Sequence, residues 1–125
     1  MAKWRWVAYP ILLGFGFGSF AAAVSSIAIG LVVDARTFLL WLVIAVVGAA
    51  GLREAREVLL YAVAFTLAHT LIQLAPLLVL RHTGFIGLYY FEYAVLYLVA
   101  RTVVFFPLVV VAAFIGWSLA EYTLG

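Results

Sequence analysis

Thr66, His69, Thr70 and Gln73 stand within "FTLAHTLIQ" (residues 65–73), inside a run that is otherwise Leu, Val and Ala. Turning about 100° per residue, a helix places these four side chains within about 100° of one another, on one face. An imidazole has an unperturbed pKa of ~6.5 and can exchange a proton near neutral pH, while the hydroxyls and the amide add donors and acceptors beside it. Such a face predicts either a site for a proton, a cation or another small solute, or a set of interhelical hydrogen bonds. Pro76, one turn later, frees a backbone carbonyl near Ile72. Glu92 is the one carboxylate within residues 85–120, where only it and Arg101 interrupt an apolar stretch. If that stretch crosses a membrane twice, Glu92 lies level with His69 and completes a relay. If it crosses once, Glu92 is an interfacial carboxylate among tyrosines. Tyr89, Tyr93, Tyr97 and Arg101 recur every four residues and share a face suited to an anionic headgroup or a quinone-like ring, or to an interfacial tyrosine belt.

Other chemistries lack their residues. Cysteine is absent, so thiolate metal sites, disulfides and thiol catalysis are excluded. A haem held by two histidines needs both at one depth, whereas His69 is central and His82 lies at the edge of its span. A catalytic metal needs about three ligands. The chain offers His69, Glu92 and little else, and no motif assigns a cofactor or a metal. Phe65-x-x-x-His69 resembles the second motif of the CAAX-type intramembrane proteases, but their adjacent Glu-Glu pair is replaced by the separated Glu54 and Glu57. "AFTLAHTLI" (64–72) is similar to the FT-x-x-H-S helix of the HupE/UreJ-type nickel permeases, with Thr70 in place of their Ser. The resemblance would give His69 a metal-handling role. It covers about nine of 125 residues and lacks the acidic, histidine-rich first segment of that family.

Hydropathy indicates which helices carry these residues. The chain is 70% hydrophobic and 10% charged, with a mean hydropathy of +1.29. A soluble domain has no interior large enough for that apolar surface, so the sequence predicts an all-α integral membrane protein, one domain over residues 1–125, a bundle of four or five transmembrane helices with very short loops. The expected spans are 7–33, 37–52, 58–80, and 84–120 either as one helix with an interfacial segment at 87–93 or as two helices meeting in a hairpin at Arg101. The opening residues look like a secretory signal ending in Ala21-x-Ala23, yet the apolar run continues to Val33 and reads as a first helix. Lys3, Arg5, Arg53 and Arg56 fall on one side of the bundle, which predicts a cytoplasmic N-terminus. The net charge of +2 is a topology signal and gives no nucleic-acid footprint. Asparagine is absent and Met and Gln occur once each, which fits a thermophilic source and a GC-rich genome equally.

Gly14, Gly18, Ala22, Ser26 and Gly30 recur every four residues along the first span. A stripe of small residues lets two helix backbones approach closely, within one chain or between two copies. Three functions are compatible with these features. The leading expectation is a small oligomeric membrane protein that binds or moves a solute at the polar face of its third helix. The alternative is an accessory subunit of a larger membrane complex, respiratory or transport, with no activity of its own; an intramembrane enzyme is third. The expected partners are the lipid bilayer and either further copies or other membrane subunits.

Overall fold

Four helices carry nearly all of the residues described by the computed structural model, which are 2–26 and 35–124. They are α1 (Ala2–Ser26), α2 (Ala35–Ala49), α3 (Ala55–His82) and α4 (Leu88–Leu124), and no strand occurs among the described residues. Residues 27–33 of the expected first span, Gly30 included, lie outside them.

The punctuation of α3 is written in its sequence. Glu57 folds back over the helix start, and its Oε1 accepts the backbone N–H groups of Arg53 (2.7 Å) and Glu54 (2.9 Å). That satisfies two donors near the start, as a capping box does, so the charged stretch enters the helix and α3 begins before the expected Val58. At the other end Gly84 adopts φ +84°, open to glycine at little cost, and the Phe85 N–H turns back to the Leu80 carbonyl at 3.0 Å. No Gly, Pro or Asn interrupts the chain near Arg101. Accordingly α4 runs unbroken for 37 residues. Of the two alternatives the four-helix one is found: no hairpin forms at Arg101, and residues 88–93 are the first turns of the same continuous helix.

Contacts along the helices fix their directions. Gly14 meets Tyr61 and Ala64, and Gly18 meets Phe65, so α1 and α3 advance side by side. The Tyr9 hydroxyl donates to the Gly51 carbonyl (2.7 Å) and the Tyr61 hydroxyl to the Ala45 carbonyl (2.8 Å), which sets α2 antiparallel to both. Phe105 reaches Phe65 and His69, while Ala94 and Leu98 join Leu77, so α4 runs back along α3. The result is an up-down-up-down bundle. Its main core is formed by Trp41, Tyr61, Phe65, Phe105 and Val109 with small alanines between them, and a lesser cluster at Leu77, Ala94 and Leu98 continues between α3 and α4. By length and composition α3 and α4 can each cross a membrane; the apolar parts of α1 (Val7–Ala23) and α2 (Thr37–Ala49) are shorter.

Candidate functional site

His69 occupies the middle of α3 and is 2% exposed. The helical period brings Phe65, one turn earlier, onto the same face, and the two rings stack at 6.4 Å. Two further helices complete the enclosure. Trp41 of α2 meets the imidazole edge to face at 4.1 Å, and Phe105 of α4 lies 5.0 Å away. Phe38, one turn before Trp41, packs on Phe105 at 5.3 Å and holds that side of the cage. The layer exists because α2, α3 and α4 each contribute an aromatic ring at one level, and the small residues of α1 draw α3 close behind it.

Polar groups in this layer divide into satisfied and unsatisfied. The Thr70 and Thr102 hydroxyls lie 2.9 Å apart, and the Thr102 hydroxyl is 2.8 Å from the Leu98 carbonyl. A hydroxyl has one proton, so Thr102 donates to Leu98 and Thr70 donates to Thr102. Thr70 is thereby committed to joining α3 and α4. His69 Nε2, Thr66 Oγ1, Gln73 Oε1 and Trp41 Nε1 are buried and have no hydrogen-bond partner among the described residues. A buried polar atom left unpaired costs about 1–3 kcal/mol, and these four are spread over about 10 Å of α3 and the facing turn of α2.

One charge accompanies them. The Arg101 guanidinium is half-buried, with its central carbon 5.2 Å from the centre of the Trp41 ring and 6.0 Å from that of Tyr97. It forms no ion pair among the described residues, whose one such pair, Arg56 with Glu54, lies at the start of α3. Trp41 is thus in contact with both an imidazole and a guanidinium.

Thr66, His69, Thr70 and Gln73 share one face of α3, where Thr66 and His69 are buried and Thr70 and Gln73 half-buried, but Glu92 is not with them. It is exposed, and it precedes Thr102 by ten residues, about 15 Å of helix. Its pairing with His69 depended on a hairpin that does not form. Among the described residues no group of three or more His, Asp or Glu is placed to hold a metal ion.

The small-residue stripe is also accounted for within the chain. A Cβ at Gly14 would come within 2.6 Å of the Tyr61 carbonyl, one at Gly18 would collide with the Phe65 carbonyl, and Ala22 is fully buried. At Gly14 and Gly18 the stripe is therefore occupied by α3. The side chain of Ser26, at the end of α1, and all of Gly30 lie outside the described residues.

Sequence reasoning did not assign Trp41, Phe105 or Arg101 to this site. A tryptophan and an arginine flanking an apolar span ordinarily read as interfacial anchors. Trp41 is the fifth residue of its expected span, 37–52, so its position gave no signal that it comes level with His69. No protein-family model, curated protein or solved structure matches the chain.

Proposed function

We propose that the chain is a multi-pass membrane protein in which α2, α3 and α4 enclose a binding site for a small solute, centred on His69 with Thr66 and Gln73, and that it moves that solute across the bilayer. The observation that carries this reading is the set of buried, unpartnered polar atoms in the central layer. In a bilayer such groups are costly anywhere, and a solute that hydrogen-bonds to them offsets the cost. Packing alone asks for satisfied pairs, of the kind Thr70 and Thr102 form.

The test is flux into sealed proteoliposomes containing the pure protein, wild type against His69→Gln, at several values between about pH 5 and 8. Glutamine keeps a hydrogen-bonding side chain of similar reach and removes the titration. Wild-type flux above empty liposomes, reduced by the substitution and no longer dependent on pH, supports the reading. Flux equal to that of empty liposomes removes it and leaves the accessory subunit in its place; flux unchanged by the substitution makes His69 structural.

A further inference from the structure

Charge distribution narrows the class of solute. The groups that face or adjoin His69 are Trp41 and Phe38 from α2, Phe65, Thr66, Thr70 and Gln73 from α3, Phe105, Thr102 and Arg101 from α4, and behind Phe65 the small residues of α1. Arg101 carries the one formal charge among them. The described carboxylates are remote: Glu57 precedes His69 by twelve residues, about 18 Å of helix, Glu92 precedes Thr102 by about 15 Å, and Glu121 follows it by nineteen residues, about 29 Å. A cation entering the layer would meet a like charge and no compensating one.

The donors match the opposite sign. A guanidinium carries five N–H groups and no acceptor, and an indole is a donor only. The ring faces of Trp41 and Tyr97 shield the Arg101 charge without accepting its hydrogens. The buried Trp41 Nε1–H has no acceptor among the described residues. A neutral imidazole with its proton on Nε2 presents a further donor, and the Thr66 hydroxyl can donate too. The oxygen and nitrogen of the Gln73 amide interchange by a flip, so even that side chain can turn a donor inward. Within a hydrocarbon layer an unpaired guanidinium is expensive, and the least costly arrangement supplies a counter-charge at its side.

We propose that the layer is a site for a small monovalent anion, held by the Arg101 guanidinium together with the unpartnered N–H of Trp41 and the imidazole of His69. The assignment rests on the His69 layer being a solute site, and it specifies the solute.

Equilibrium binding of radiolabelled chloride to the purified protein in a neutral detergent tests it, for wild type, Arg101→Gln, Arg101→Lys and Trp41→Phe, each first shown to be folded by its circular-dichroism melt. Saturable binding is expected in the wild type. Arg101→Gln weakens it at least about tenfold, as loss of a charged hydrogen bond should. Arg101→Lys retains most of it, and Trp41→Phe, which keeps the ring but deletes the N–H, falls between. Binding indifferent to Arg101→Gln, or no saturable binding, overturns the proposal. Displacement of chloride by detergent-dispersed phosphatidylglycerol, with tighter retention of that lipid, reassigns Arg101 to a lipid phosphate and overturns the free-anion assignment. Flux separates the two readings: proteoliposomes that pass potassium and exclude chloride keep the transport reading and sink the anion, whereas chloride binding without flux of any ion keeps the anion site and sinks transport.

Discussion

Thr70 and His69 are adjacent in sequence and placed on one face by the same helical period, yet their surroundings give them different tasks. Thr70 donates to Thr102 at 2.9 Å, and that pair ties α3 to α4. Replacing both by Val removes the pair without leaving either hydroxyl stranded, so a double-mutant cycle on thermal stability should return a coupling of about 0.6 kcal/mol, typical of a hydrogen bond between membrane helices. A coupling of zero would remove the pair from the bonds that hold α3 to α4. The Tyr61 hydroxyl is the more consequential single atom. It is buried, it donates to the Ala45 carbonyl at 2.8 Å, and it presses on Gly48, so it fixes α2 against α3 where few other side chains do. Tyr61→Phe leaves that carbonyl without its tyrosine donor and should cost about 1–2 kcal/mol in a melt followed by circular dichroism. The polar face of α3 was legible from sequence because a period of 3.6 is a property of one helix. Its partners were not, since nothing in the sequence states that Trp41 and Phe105 come level with His69; that depends on how α2 and α4 slide along α3.

Helix boundaries follow local signals where these exist and fail where they do not. Glu54 and Glu57 mark the start of α3, three residues before the expected one, and Gly84 marks the turn after it. Near Arg101 no such signal stands, and a lone arginine in an apolar run is compatible with a turn and with a helix interior. The continuous α4 is what the absence of breakers favours. The stripe on α1 was legible as a close contact, though a pattern of small residues does not say which helix approaches. Its geometry supplies a sharp comparison. A methyl at Gly18 meets the Phe65 backbone, which cannot yield without moving α3, whereas Gly16, two residues away, faces open space. Gly18→Ala should therefore destabilise by about 1–3 kcal/mol. Gly16→Ala should be neutral or stabilising by up to about 1 kcal/mol, through the higher helix propensity of alanine. Equal melting temperatures for the two variants would refute the packing of α1 on α3.

Across the whole molecule the alternation of directions groups the charges by end. Residues 3 and 5 lie in the first turns of α1, and Arg53 and Arg56 flank the start of α3, which advances beside α1, so four basic residues gather at one end. Residue 36 begins α2 and Arg81 closes α3 at the opposite end. Four against two predicts that the first end faces the cytoplasm. Length agrees with a full crossing. Ala55 and His82 are separated by 27 residues of helix, about 40 Å, against a hydrocarbon thickness of about 30 Å. Glu92 and Glu121 are 29 residues apart on α4, about 44 Å, so both carboxylates can reach water, and Arg101 lies about 13 Å along the helix from Glu92. The proposed crossing would place the exposed Tyr89, Tyr90 and Tyr93 at the interface of the His82 end. The chain contains no cysteine, so single cysteines at the exposed positions Ala55, His82 and Tyr122 report without background. In sealed, oriented vesicles an impermeant thiol reagent should label Ala55→Cys and Tyr122→Cys from the cytoplasmic side and His82→Cys from the opposite side. Labelling of Tyr122→Cys from the side of His82 would require another crossing and break the four-helix topology. Labelling of Ala55→Cys from outside would invert the orientation, and labelling of all three from a single side would show that α3 and α4 do not cross the bilayer.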